Sequence, residues 1–192
     1  MNRFASSSDY ILGTFDDLGN VSDEQLVALV AQGREDAFNE LYKRFGVKLY
    51  NYLLYMLNDQ ESAEDALQEV FLGLWQGGGD FRSRSKARTW LYRIAYHRAV
   101  SILRKRKNQV PYDDWHGSLS EQDLDLAADQ AIQNSRLRTA LDSLPEKQKA
   151  TVLLAFVEEM SYTEIAEVMR VPAGTVKSRM NRALRLLGIK LK

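Results

Sequence analysis

Between Ser161 and Leu187 the chain reads Ser-Tyr-Thr-Glu-Ile-Ala-Glu-Val-Met-Arg-Val-Pro-Ala-Gly-Thr-Val-Lys-Ser-Arg-Met-Asn-Arg-Ala-Leu-Arg-Leu-Leu, and few folds accept that order. Ser161 followed by Glu164 is a capping box, which starts a helix. Ile165, Ala166, Val168 and Met169 give that helix an apolar face. It is short, because Pro172 has no backbone N–H and disfavours helical backbone at Val171. Pro172 in turn suits the first turn of a second helix. That helix carries Val176, Met180, Ala183, Leu184 and Leu187 on one side and Lys177, Ser178, Arg179, Asn181, Arg182 and Arg185 on the other. Two short helices joined by a tight turn, the second outwardly basic, predict a helix-turn-helix whose second helix enters the major groove. The competing reading is an amphipathic helix with a solvated basic face. DNA binding is preferred because cap, turn and one-sided charge coincide: after Glu167 the chain has no acidic residue and seven basic ones.

The totals exclude several function classes. The 192 residues suit one or two small domains. With no cysteine there is no disulfide, thiolate metal site or thiol catalysis, and nothing in the sequence pairs His97 with His116 as metal ligands. No cofactor and no metal site are expected. No apolar run reaches membrane-spanning length and no signal-peptide core begins the chain, so a cytoplasmic protein without membrane insertion is expected. Lys plus Arg and Asp plus Glu both total 26, so net charge names no partner, but its distribution is blocked. Leu49 to Phe81 has no basic residue, Phe81 to Tyr112 has no acidic one, and Asp113 to Asp129 has acids alone. Such blocks suggest separate surfaces for partners of opposite charge.

In chain order, residues 1–20 show no period and read as a flexible arm. Ser22 with Gln25 opens a short helix ended by Gly33. A second helix runs from about Glu35 to Leu57 and buries Phe38, Leu41, Tyr42, Phe45, Leu49, Tyr52, Leu53 and Met56, with Gly46 as a weak point. A third, from about Glu61 to Gln76, buries Ala63, Ala66, Leu67, Val70, Phe71, Leu74 and Trp75. Its opposite face presents Asp65, Gln68, Glu69 and Leu72, which is either a docking surface for a basic helix or simply solvated. Gly77-Gly78-Gly79 breaks it. A basic loop leads into a fourth helix, about Ala87 to Lys107, burying Trp90, Leu91, Ile94, Ala95 and Leu103, and Val100 in part. Its outer side interleaves Arg88, Arg93, Arg98, Arg104 and Lys105 with Tyr92, Tyr96 and His97, a pattern suited to single-stranded nucleic acid. Tyr92, Tyr96 and His97 are equally open to core or surface roles. Residues 108–128 read as a linker that reaches roughly 70 Å when stretched. The second domain, 129–192, holds Ala131, Ile132, Leu137, Ala140, Leu141 and Leu144 on one helix. A further helix after Pro145 buries Val152, Leu153, Ala155 and Phe156, and the helix-turn-helix follows.

Taken together, about Asp23 to Leu187 resembles the bacterial RNA polymerase sigma factors of the extracytoplasmic-function (ECF) subfamily. Ala63-Glu-Asp-Ala-Leu-Gln-Glu-Val-Phe-Leu-Gly-Leu-Trp75 is similar to the family's core-polymerase-binding helix. Phe81-Arg82 with Arg88-Thr-Trp-Leu-Tyr-Arg-Ile-Ala95 resembles its promoter-melting and −10-reading segment. Leu144-Pro145-Glu146 through Pro172-Ala-Gly-Thr-Val-Lys-Ser-Arg-Met-Asn-Arg-Ala183 resembles its −35-reading domain.

The resemblance implies an all-α protein of two small helical domains, region 2 at 21–107 and region 4 at 129–192, joined by a flexible acidic linker. It implies a non-enzymatic initiation factor whose partners are core RNA polymerase, promoter DNA and an anti-sigma factor. Asp65, Gln68, Glu69 and Leu72 are the implied polymerase contacts. Phe81, Arg82, Ser83, Arg84, Ser85, Lys86, Arg88, Tyr92, Arg93, Tyr96, His97, Arg98 and Arg104 are the implied −10 contacts. Thr175, Lys177, Ser178, Arg179, Asn181, Arg182 and Arg185 are the implied −35 contacts. Arg84, Ala87 and Asn181 depart from residues often found at those places in the family, which leaves base preference open at both elements. The rivals are a homodimeric helix-turn-helix regulator independent of polymerase, and an enzyme built on paired carboxylates such as Glu64 and Glu69. The first leaves the Asp65–Leu72 face unexplained; the second lacks any nearby histidine, metal cluster or phosphate loop.

Overall fold

The computed structural model describes residues 18–77, 86–109 and 138–188. The expectations for most of the N-terminal arm, for loop residues Phe81, Arg82, Ser83, Arg84 and Ser85, for the linker beyond Gln109 and for Ala131, Ile132 and Leu137 lie outside them. The fold is all-α, with no strand among the described residues, and forms two helical domains.

The first domain is a bundle of α1 (Asp23–Ala31), α2 (Glu35–Leu57), α3 (Gln60–Gly77) and α4 (Ala87–Gln109). The Ser22 capping box forms: its hydroxyl accepts from the Gln25 N–H while the Gln25 side chain accepts from the Ser22 N–H. Gly33, at φ 83°, makes the left-handed turn into α2. α2 is unbroken across Gly46, where a Cβ would meet the Tyr42 ring at 3.4 Å, an ordinary contact. Asn58, left-handed at φ 52°, closes α2, and Asp59 starts α3 by accepting from the Ser62 N–H at 3.0 Å.

Leu26, Leu41, Leu49, Leu53, Leu74, Leu91 and Tyr52 are fully buried in the core. Truncating such a leucine to alanine costs about 2–5 kcal/mol. Two members of the expected core face outward instead: Tyr42 and Trp75 are exposed. They flank Phe38 and Phe71 in an edge-to-face cluster at the outer α2–α3 groove, where a large ring buries one side and leaves the other wet.

Two arginines tie the bundle together. Arg44 donates to the carbonyls of Leu18, Gly19 and Val21 and pairs with Asp23 at 2.7 Å and Glu40 at 2.8 Å, which fixes the 3-10 turn Leu18–Asn20 onto α2. Arg106 donates to the Leu57 carbonyl at 2.9 Å, to Asp59 at 2.9 Å and to Ser62. It thereby clamps the end of α4 to the α2–α3 corner and explains why α4 continues to Gln109, two residues beyond the expected limit.

In the second domain, residues 138–142 are helical, then come α5 (Glu146–Val152), a π-helical turn (Leu153–Val157), α6 (Tyr162–Met169) and α7 (Ala173–Leu186). Lys149, buried, pairs with Asp142 at 2.6 Å and fastens residues 138–142 to α5. The Ser161 capping box forms as read, with Arg170 left-handed at φ 52° ending α6. Pro172 is the N-cap of α7, one residue before the helix proper. Ile165, Val168 and Met169 face Val176, Met180, Ala183 and Leu184 across a helix-turn-helix. Phe156 departs from expectation: it is 65% exposed. In the π turn the Glu158 N–H reaches back to the Leu153 carbonyl, so the wider turn rotates Phe156 off the apolar face that an α-helix would give it.

Candidate nucleic-acid interface

The residues singled out by sequence fall on three surfaces. On α3, Asp65, Gln68, Glu69 and Leu72 are all exposed and adjoin exposed Trp75. Glu69 is paired with Arg98 of α4 at 2.9 Å, with both partners about half exposed. Leu72, 53% exposed, lies one turn beyond Glu69 and beside exposed Trp75, so the ridge passes from acidic to apolar along α3. Such a ridge can hold a basic helix by charge complementarity at one end and burial at the other.

On α4, Arg98 and Arg104 are exposed, while Arg88 and Arg93 are half-buried. The N–H of Ala87 donates to Glu24 of α1 at 3.0 Å, so α4 begins on a carboxylate that complements the helix dipole. The two tyrosines are covered, Tyr92 at 0% and Tyr96 at 4% exposed, while His97 is exposed. What covers them is the second domain, because α6 lies along α4. The Tyr92 hydroxyl donates to Glu158, and burial together with that carboxylate pushes the tyrosine well above its ordinary pKa. Burial likewise raises Glu158, an effect that the Tyr92 hydroxyl, Arg88 and Lys48 offset only in part. Tyr96, also raised by burial, lies against the Arg179 guanidinium. His97 is lowered, first by loss of water and then by Arg170 and Arg93. Lys86 reaches Glu164 at 2.8 Å, and that contact, with Ser161, holds Glu164 down to about 2.

On α7, Lys177, Ser178, Arg182 and Arg185 are exposed, while Thr175, Arg179 and Asn181 are half-buried. Ser178 donates to the Thr175 carbonyl at 2.9 Å, which holds its side chain against the helix. The exposed cations line up on the side opposite Val176, Met180 and Ala183, the geometry of a recognition helix. Sequence reasoning missed Glu158 altogether. An acid beside exposed Val157 and left-handed Glu159 carries no motif, and its role depends on the π turn.

Residues 41–109 match the Sigma-70 region 2 family and residues 134–187 the Sigma-70 region 4 family. Among relatives, the chain is 34% identical over 151 residues to the ECF RNA polymerase sigma factor RpoE of Cereibacter sphaeroides, covering 78% of this chain and 83% of that one. It is 31% identical over 182 residues to the ECF RNA polymerase sigma-E factor of Haemophilus influenzae, covering 89% and 96%. Among solved structures, CnrH, in complex with the cytosolic domain of CnrY, superposes with a TM-score of 0.67 at 23% identity, over 86% of this chain and 94% of that one. RpoE of Bartonella quintana, in complex with the anti-sigma factor NepR, gives 0.62 at 23% identity over 78% and 93%. The chain belongs to the ECF RNA polymerase sigma factors. Its function is that of an alternative sigma factor, which binds core polymerase and directs promoter-specific initiation through −35 duplex and −10 melted DNA. The homodimeric-regulator reading is not favoured.

Proposed function

We propose a residue-level division of that activity. The α3 ridge of Asp65, Gln68, Glu69 and Leu72 docks on a basic helical element of core polymerase. Lys86, Arg88, Tyr92, Arg93, Tyr96, His97, Arg98 and Arg104, with Phe81, Arg82, Ser83, Arg84 and Ser85 of the preceding loop, capture the opened −10 strand. Thr175, Lys177, Ser178, Arg179, Asn181, Arg182 and Arg185 read the −35 duplex. The observation that carries the reading is the opposite charge of two neighbouring faces of one bundle: α3 exposes carboxylates up to Glu69 followed by Leu72, and α4 exposes arginines.

No covalent step is required. Polymerase binding fixes the protein, α7 holds upstream duplex, and energy from stacking and phosphate contacts offsets unpairing, a few kcal/mol for each flipped base. The chain acts in the cytoplasm, where polymerase and promoters lie, and among the described residues no helix is long and apolar enough to cross a membrane. An anti-sigma factor is the expected regulator, supported by the solved RpoE–NepR complex. The test is capture by core polymerase followed by run-off transcription, wild type against Asp65→Lys/Glu69→Lys. Loss of both in a folded variant is expected; unchanged transcription sinks the docking assignment.

A further inference from the structure

Three residues other than glycine hold a left-handed backbone among those described: Asn58, Glu159 and Arg170, at φ 52°, 51° and 52°. Asparagine tolerates that region because its short amide bonds locally. A long charged side chain gains nothing there, and glycine would fill the position without strain. Arg170 is the C-cap of α6, and its backbone N–H donates to the Ala166 carbonyl, a bond that glycine would make equally well. The turn therefore needs the conformation and not the arginine. The C-terminus of α6 does attract a cation, but a Lys or Arg within the last turn would serve that end without leaving the ordinary helical region.

Nor does the chain use the charge internally. Arg170 is exposed, and its guanidinium forms no ion pair or hydrogen bond among the described residues. The titrating group it influences has its own sign: His97, lowered first by loss of water, is lowered further by Arg170 and Arg93. A strained cation set near like charge points to a ligand outside the chain. Arg170 stands just ahead of α7, whose first residue is Ala173. Pro172, Ala173 and Gly174 are exposed, and a Cβ at Gly174 would meet nothing within 4 Å, so no bulky side chain closes off the approach. A recognition helix enters the major groove by its N-terminal residues, which sets the turn before it at the groove's edge, where the phosphates run.

We propose that Arg170 is a phosphate anchor for the upstream duplex, fixing how far α7 enters the groove. The anchor grips the DNA backbone and carries no base preference of its own. It rests on the assignment of α7 to duplex DNA.

The test sets Arg170→Gly beside Glu159→Gly, which relieves the same backbone strain ahead of α6 and removes a charge of the wrong sign for phosphate. Both variants should have denaturant midpoints no lower than the wild type's. Affinity of the full chain for a short duplex of random sequence is then measured over a low-salt range. Arg170→Gly is expected to bind about tenfold more weakly and to reduce the salt slope by about one. Arg170→Lys should keep most of the affinity and Glu159→Gly should lose none. Unchanged affinity and slope in Arg170→Gly overturns the anchor. A fall in affinity that comes with a lower midpoint, and that Arg170→Lys shares, is loss of fold and also overturns it. Arg182→Ala, on the exposed face of α7, is the reference. If it weakens binding and Arg170→Gly does not, the anchor alone falls. If neither does, or if the wild type binds no duplex, the α7 assignment falls and the anchor with it.

Discussion

The outer faces of α3 and α4 belong to one bundle and have opposite fates. The α3 face is acidic up to an exposed leucine and meets no other part of the described chain except through Glu69–Arg98. The α4 face is basic and aromatic, and a second domain lies on it. The difference is one of available partners. The basic face meets the carboxylates of Glu158 and Glu164, which the second domain carries to it, whereas the acidic ridge meets Arg98 alone among the ion pairs of the described residues.

The largest expected effect comes from inverting the bare face. Asp65→Lys/Glu69→Lys places like charges against a basic partner, which costs several kcal/mol, and core-polymerase affinity should fall more than a hundredfold in a pull-down or titration. Thermal stability should change little, because both residues are exposed. A variant that still binds polymerase erases the contrast between the two faces. Next, Arg179→Ala should weaken upstream duplex binding by about 1–3 kcal/mol while leaving polymerase affinity alone, checked by titrating duplex against the polymerase-bound protein. Equal loss of both would indicate misfolding.

A smaller effect belongs to the scaffold that the two faces share. Arg106→Ala removes the donor to Leu57, Asp59 and Ser62 and should lower stability by about 1–3 kcal/mol, read from denaturant midpoints. The conservative Arg106→Lys should recover only part, since a single ammonium does not reproduce the fork.

The smallest effect is the pH dependence of docking. Glu158 is raised in the closed state, so its contribution is fully present below the ordinary glutamate value of about 4.3 and fades as pH climbs through the raised one. Glu164 is lowered to about 2, mainly by Lys86, so its contribution is present above the ordinary value and fades as pH falls toward 2. Domain separation measured against pH should therefore pass through a minimum near the ordinary glutamate value. Glu158→Gln should flatten the alkaline side alone. A separation that shrinks steadily with rising pH would break this account.

Much of this architecture was legible in residues whose signals are local. Both capping boxes, at Ser22 and Ser161, formed as their spacing required, and the 3.6-residue period located α2 and α3 to within a residue. What failed was the assumption that periodicity alone decides burial. Trp75 and Tyr42 lie on the apolar arc of their helices yet face a groove that nothing in the described chain fills. Tyr92 and Tyr96 lie on a polar arc yet are buried, because a domain distant in sequence arrives there. Arg106 was hidden within a run of four basic residues, Arg104 to Lys107, where only the α2–α3 corner distinguishes it. The charged faces of α3, α4 and α7 could be read from charge blocks; the contact of the second domain with α4 could not.

The π turn at Leu153–Val157 amounts to one surplus residue in an otherwise ordinary helix. Removing it, for instance by deleting Ala155, would restore even winding and swing the following carboxylate by about a quarter-turn or more, away from the tyrosine it now meets. Phe156 would move inward as that acid moved aside. A single-codon deletion would thus part Glu158 from Tyr92 without altering either residue.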